Sequence, residues 1–456
     1  MVATHVDRRA APEEALDLAL SLVRGDAEAL YLARDAALTR FAASRIHQNV
    51  SEHDASLRVR VVDGGRTGVA STNRLDDQGI AEVVSRATEI CRRSAPNPEL
   101  TPLAPADSGC GESDLGFVQA TADAEPERRA EGARAVIGAA QADDLIASGA
   151  FSTEASTIAI ANTNGLRSRH TTTQAKLLTV MTGADRASGY AQAISTDIGA
   201  IDAVAVGAEA ADKAARSVGA TDLEPGDYDV ILEEYAVQTI LEYLSYDGFS
   251  ALAVEEGRSF MDIGSQIMGS NVSIWDDGAD PSGLPSAADF EGVAKQRVDL
   301  VVDGVANALV HDSATARRAG IPSTGHALPA PNTFGPLAWN LFMAPGSSSK
   351  ETMLASIERG LWVTRFHYVN IVHPRKGVLT GMTKDGTFLI ENGRIVRPVR
   401  NLRFTEEIPA AFSRIEAIGA DTKMVGAEYS GINARVPALR IGGFAFTGAT
   451  AAEPGT

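Results

Sequence analysis

Few side chains in this sequence are placed to do chemistry. Glu242 lies where Val237, Ile240, Leu241 and Leu244 recur at i, i+3, i+4 and i+7, a spacing that predicts a helix with one buried face. A carboxylate on such a helix can accept a proton, but hydrolysis also needs an activated water. A hydrolytic zinc site provides one through three protein ligands and an open position, where the bound water acidifies to a pKa of about 7. No histidine or cysteine occurs between Tyr228 and Gly248. Glu242 therefore reads first as a surface or interface acid, and only second as a catalytic base.

Other candidates are isolated. His326 ends the small-residue turn Ser323-Thr324-Gly325-His326, where side chains and backbone amides could meet a peptide, although nothing adjacent in sequence partners the imidazole. His367 and His373 are six residues apart on a strand-like run, so a period of two puts them on one face; a metal would still need a third ligand. Ser347-Ser348-Ser349-Lys350 contains a serine and a lysine but lacks the rest of the penicillin-binding signature, and reads as a polar turn before a helix at Glu351 to Glu358. Gly64-Gly65-Arg66-Thr67-Gly68 lacks the lysine and spacing of a phosphate loop and reads as a turn.

The elements that must position these residues follow from periodicity. Tyr228 to Leu232 is strand-like, Glu233 and Glu234 fall in the first turn of the Glu242 helix, where the dipole favours acids, and Gly248 ends it. Upstream, helices are expected at Pro12 to Gly25, Asp76 to Ser94, Ala130 to Ile146 and about Ala203 to Val218. Strands are expected at Leu57 to Val62, Ser156 to Ala161 and Arg167 to Thr182, with a hairpin at Asn164-Gly165. Residues 96–124, rich in Pro, Gly, Ser and Asp, read as a loop or cover. Leu223-Glu224-Pro225-Gly226 marks a boundary. Beyond it strand signals dominate, at Ala294 to Val302, Phe366 to Val372, Gly377 to Thr380, Thr387 to Ile390, Arg394 to Val399 and Leu439 to Ile441, with a tight turn at Glu391-Asn392-Gly393. The expected class is α+β: an N-terminal α/β domain over residues 1–223, then a β-dominated C-terminal domain over 224–456.

Composition narrows the functional classes. Of 456 residues, 41 are Lys or Arg and 59 Asp or Glu, a formal charge of −18 that opposes binding to a polyphosphate backbone. No run approaches the roughly 20 apolar residues of a membrane helix, and Met1 to Arg9 is charged without an apolar stretch behind it, so neither membrane insertion nor a signal peptide is expected. Two cysteines cannot make a disulfide scaffold, which fits a cytoplasmic location.

Several separated blocks resemble the TldD/PmbA family, a two-subunit metalloprotease system also called modulator of DNA gyrase. They are Leu38 to Asn49, Gly68 to Asn73, Ala161 to Gly165, Ser323 to His326 and Ile390 to Val399. The resemblance covers roughly Leu30 to Gly448. In its catalytic branch, a helix after a strand like Tyr228 to Leu232 carries His-Glu-x-x-x-His, and a C-terminal cysteine completes the zinc site. The matching segment here is Leu241 to Tyr246, with Leu241 and Tyr246 at the nitrogen-ligand positions and only Glu242 retained. The cysteine position falls near Met424-Val425-Gly426, and the only cysteines are Cys91 and Cys110.

The resemblance thus implies the zinc-free subunit of TldE/PmbA type, with no cofactor in this chain and zinc in a TldD-like partner. Thr324, Gly325, His326 and Tyr246 are the expected contacts to a peptide or unfolded polypeptide. Two other classes stay open: a stand-alone hydrolase using His326, His367 or His373, and a non-enzymatic regulatory binding protein. Processing of small peptide-derived natural products is a further possibility within the enzyme class.

Overall fold

The computed structural model describes residues 11–98, 100–428 and 430–449, and among these the strands collect into two sheets, of seven and eleven strands. The reading of Met1 to Arg9 lies outside the described residues.

In the first sheet Arg66–Thr72, Arg45–Asp63, Asp26–Ala42, Ile146–Asn162 and Arg167–Thr182 lie side by side, and Gly111–Ser113 and Ser188–Ser195 share the last edge. Asp26–Ala42 pairs antiparallel with a neighbour on each side, which makes residues 26–72 and 146–195 one continuous sheet. Its helices start where capping chemistry puts them. Asp76 accepts from the Gly79 N–H at 2.6 Å to begin Asp77–Arg93, and Asp202 accepts from the Ala205 N–H at 2.9 Å to begin Ala203–Arg216. Along Arg167–Thr182, Thr173, Ala175, Leu177 and Thr179 are buried, and the intervening residues from Thr172 to Val180 are half-buried.

The second sheet bends back on itself. Gly226–Leu232 pairs in parallel with Arg359–His373 and antiparallel with Asn433–Ala449; these join through Val378–Glu391 and Leu402–Glu407, so five strands form a closed ring of pairings. The buried rings of Phe366, Phe404 and Phe444 pack together with centroids 4.4–6.1 Å apart. Closure leaves these five strands without a free edge. The architecture is α+β, as the periodicity predicts, and the second sheet starts at Gly226, just past the Pro-Gly signal.

Several local expectations need correction. Residues 96–98 and 100–124 are largely irregular, as the loop reading has it, but are not without elements. They contain a 3₁₀ turn at Ala106–Ser108, the strand Gly111–Ser113 and the helix Gln119–Ala122. They are pinned to the sheet by Cys110 N–H to Ser168 Oγ at 2.9 Å and Thr121 Oγ1 to Thr196 O at 2.8 Å. Composition hides these anchors because they are made by residues more than fifty positions away. The third helix is Pro126–Ala142, and Ile146 already begins a strand. Gly377 to Thr380 and Thr387 to Ile390 belong to one strand, Val378–Glu391, bent at Asp385 and Gly386, which both have positive φ. The helix after Ser349 is only Lys350–Ala355.

Gly189 sets how closely Ala203–Arg216 approaches the sheet. A Cβ there would lie 2.2 Å from Ala210 O and 2.4 Å from Ala214 N, both backbone atoms that cannot yield alone. Gly189→Ala should therefore destabilise the fold by about 1–3 kcal/mol through overpacking. An unchanged denaturation midpoint would refute this close approach.

Candidate functional site

The helix that carries Glu242 spans Glu234–Asp247 and follows directly on the strand Gly226–Leu232. Val237, Ile240, Leu241 and Leu244 are all at 0–1 % exposure against the ring of strands, as their spacing requires. The other side is covered too. Tyr235, Gln238, Thr239, Glu242 and Tyr243 face a cleft of about 80 Å³, closed by Tyr190 and Gln192 of the first sheet, by Arg365 to Tyr368, and by Val425, Gly426 and Glu428.

Hydrogen bonds fix the walls. The Gln192 side chain donates to Gly426 O at 3.0 Å and accepts from Gly426 N–H at 3.2 Å, and Lys176 Nζ donates to Ala427 O at 2.6 Å. Gln238 Nε2 donates to Glu242 Oε2 at 3.1 Å and to Ile432 O at 2.9 Å. Burial raises the Glu242 carboxyl, opposed by its hydrogen bonds with Ser430 and Gln238. Arg365 is held by Asp385 at 2.6 Å and Glu428 at 3.0 Å and stacks over the Tyr190 ring at 4.3 Å. Burial lowers His367, and Arg365 and Lys384 lower it further, which disfavours the charged imidazole.

Beneath the cleft lies a buried ionic network. Lys213 Nζ is 2.6 Å from Glu233 and 2.7 Å from Glu209; Glu233 also accepts from Trp362 Nε1 at 2.5 Å. Lys423 donates to Glu209 at 2.9 Å and to the Tyr235 hydroxyl at 2.5 Å. Burial alone would raise Glu209, but Lys213 and Lys423 outweigh it and hold the carboxyl at about 2.

The predicted site residues separate. Glu242 lines the cleft. Tyr246 stands one turn further, edge-on to Tyr243 at 6.3 Å and to Phe334 at 6.0 Å, outside the lining. Leu241 is in the core, so it presents nothing to the cleft, whereas Val425 does line it. Thr324, Gly325 and His326 lie elsewhere, and His326 is corrected from a peptide contact to a sealed core group. Its side chain is fully buried, Nε2 is 2.8 Å from Asp276 Oδ1 and Nδ1 is 2.9 Å from Thr324 Oγ1. Asp276 also meets Lys295 at 3.2 Å, a partner thirty residues from His326 that local sequence could not reveal. Gly325, at φ +75°, has the backbone around Ala294 and Lys295 within 3 Å of where a Cβ would stand, which leaves no room for a side chain there.

Two register shifts, between His367 and Asn370 and between Ile371 and His373, each insert one residue, with Tyr368 at φ +50°. The ladder partners Met382 and Val378 are four apart on one regular strand, so the two imidazoles keep the same side of the sheet, and of the two His367 lines the cleft. Ser349 caps the following helix by accepting from Thr352 N–H, and Lys350 pairs with Glu234 at 2.8 Å.

Sequence reading missed Tyr190, Gln192, Lys176, Arg365 and Glu428. They converge on the cleft from strands and a loop far apart in the chain. A polar alternation through Thr172, Gln174 and Lys176 was the one available signal.

A catalytic zinc needs three protein donors in reach of one point. The acids and imidazole of the cleft are Glu242, Glu428 and His367, with Glu428 already paired to Arg365. Among the described residues no group of three or more His, Cys, Asp or Glu is arranged to hold a metal. The donor set does not fit zinc.

The chain is thus an α+β protein in which a ring-closed β domain presents a strand-to-helix element to a cleft roofed by a second sheet. Residues 27–91, 120–218 and 225–448 match domain 1, the central domain and the C-terminal domain of PmbA/TldA metallopeptidases. The chain belongs to the TldD/PmbA family. The first two matched domains share the single N-terminal sheet. The chain is 26% identical to "Metalloprotease PmbA" of Escherichia coli O157:H7 over 432 residues, covering 90% of this chain and 91% of that one. Its fold is similar to crystal structures of TldE from Thermococcus kodakarensis (TM-score 0.87, 16% identity, 96% of this chain and 100% of that chain) and of a putative modulator of DNA gyrase from Thermotoga maritima (TM-score 0.83, 19% identity, 95% and 100%).

Removing Lys213 leaves Glu233 buried without its cation, so Lys213→Met should destabilise by about 3–5 kcal/mol in urea denaturation, and adding Glu233→Gln should restore most of the loss. A single-variant loss within error of zero would refute the network. Burial, reinforced by Lys295, lowers His170 from 6.5 to about 4. The unfolded chain takes up this proton first, so stability present above pH 6.5 is lost as pH falls toward 4. Melting curves of the wild type and His170→Gln should diverge across that window; parallel curves would refute the assignment.

Proposed function

We propose that this chain is the zinc-free subunit of a heteromeric TldD/TldE-type metalloprotease. It shapes the chamber and binds substrate peptide, while a zinc-bearing TldD-like partner supplies metal, base and water. The observation that carries this reading is the donor set of the cleft: Glu242 stands beside Gln238, Thr239 and Tyr243, Glu428 is paired to Arg365, and among the described residues no three His, Cys, Asp or Glu are grouped to hold a metal. A buried, raised carboxyl held by an amide suits hydrogen bonding to a peptide better than activation of water. The similarity to a relative named PmbA over nine-tenths of the chain supports the same assignment.

Of the expected peptide contacts, Tyr246 stays with this reading through its packing on the cleft-lining Tyr243. Glu242, expected at most as a catalytic base, joins it as a hydrogen-bonding group of the cleft. The two unpaired cysteines, Cys91 and Cys110, accord with work in a reducing cytoplasm. The stand-alone hydrolase has only His367 left at the cleft.

The test is to co-express the chain with a TldD-like partner and compare peptide turnover by the pair and by each subunit, with metal analysis of each. The pair should cleave, this chain alone should not, and zinc should travel with the partner. Equal turnover by the partner alone would remove this chain's role. Cleavage by this chain alone would establish the hydrolase reading instead.

A further inference from the structure

Consecutive side chains of a regular strand point to opposite faces, yet His367 and Tyr368 both line the Glu242 cleft and their rings touch, with centroids 4.0 Å apart. A bulge makes this possible. His367 pairs with Met382 and Asn370 with Thr380, so Tyr368 and Val369 together oppose Gly381 alone. The inserted residue turns Val369 into the core, where it is 6 % exposed, and leaves Tyr368 outside at 76 %. Gly381 makes room for Val369, since a Cβ there would lie 2.8 Å from Val369 Cγ2 and 2.7 Å from the Phe404 ring. Asn370 Nδ2 braces the bulge by donating to Tyr368 O at 3.2 Å.

Tyr368 is unfavourable in the chain on its own. Its backbone is left-handed, a region that a bulky side chain occupies only under strain. Its ring is more exposed than any other large apolar side chain among the described residues, and the contact with His367 does not bury it. Strain and exposure coincide at the mouth of the cleft, where an arriving group can cover the ring.

The chemistry of the cleft narrows what that group is. Its deeper rings are engaged: Arg365 lies over Tyr190 at 4.3 Å, and Lys423 and Lys213 lie over Tyr235 at 4.5 and 5.0 Å. Tyr243 and Tyr368 complete the tyrosines of the lining, and among the described residues no cation lies over either. Charge near the mouth is balanced, with Arg365 and Lys384 acting on His367 in one sense and Glu428 and Asp385 in the other. A cationic side chain gains little from such a field, whereas an aromatic one gains ring contact and covers apolar surface.

We propose that Tyr368 is a specificity-determining residue, whose ring packs on an aromatic side chain of the peptide held in the Glu242 cleft. The inference rests on the peptide-binding reading above and names the side-chain class that reading leaves open.

Calorimetry on the full chain tests this with short acetyl- and amide-blocked peptides that differ only in a central phenylalanine, leucine or lysine. The wild type should bind the phenylalanine peptide about three- to tenfold more tightly than the other two, the yield of one aromatic pair. Tyr368→Ala should erase that preference and leave the leucine peptide unchanged, whereas Tyr368→Phe should keep it. So exposed a side chain tolerates truncation, and both variants should fold and still co-purify with a TldD-like partner. Equal affinity, tighter binding of the leucine or lysine peptide, or a phenylalanine preference that survives Tyr368→Ala would overturn the role of Tyr368 and leave the cleft reading standing. Loss of pairing in Tyr368→Ala would assign the ring to the subunit interface instead. Absence of binding by every peptide would overturn both readings.

Discussion

Lys213 enters the junction of the two sheets with 9 % of its side chain exposed, and a cation in that position is stable only if carboxylates come to it. Glu209 comes from its own helix, one turn away; Glu233 comes from the end of the first strand of the C-terminal domain. Glu233 is also the residue from which the site helix departs, and its N–H donates to Val363 O at 3.0 Å. The ion pair thus ties the N-terminal domain to the start of the site helix. Lys423 extends the tie, reaching Glu209 and the Tyr235 hydroxyl from the last hairpin. Satisfying these charges at once sets the rotation and height of Glu234–Asp247 under the first sheet, and the cleft is what remains between them.

The cleft inherits that neutrality. Arg365 is spent on Asp385 and Glu428, and burial disfavours the charged forms of both His367 and Glu242. What faces the space is then amide, hydroxyl, aromatic ring and a carboxyl able to donate or accept. Such a set distinguishes hydrogen-bonding patterns and shapes. It does not concentrate the charge that a hydrolytic transition state requires.

Much of the fold was legible in the sequence because local rules governed it. The strand to Leu232, the buried stripe Val237–Ile240–Leu241–Leu244, the Asp76 cap and the Asn392-Gly393 turn all obey constraints acting over a few residues. The site was less legible because long-range contacts dominate it. His326 looked like an exposed loop residue until Asp276 and Lys295 met it in the core. Residues 96–124 looked loose because their anchors, Ser168, Thr173 and Thr196, belong to another part of the sheet.

Helical geometry limits how the site helix can change its chemistry. Each residue turns by about 100°, so on this helix positions 241 and 246 point roughly 140° apart, and here they meet different surroundings. Leu241 accordingly fills the core, and Tyr246 leaves the lining to pack on Phe334. The positions that do face the cleft, Tyr235, Gln238 and Glu242, follow i, i+3 and i+7, and each is already committed. Tyr235 serves the ionic network, Gln238 bridges to Ile432 O, and Glu242 accepts from Gln238. A metal centre on this face would need Gln238 and Glu242 freed together, and freeing Gln238 strands a buried carbonyl. The hydrogen bonds that tie the helix to Ile432 O thus also keep Gln238 and Glu242 from serving a metal.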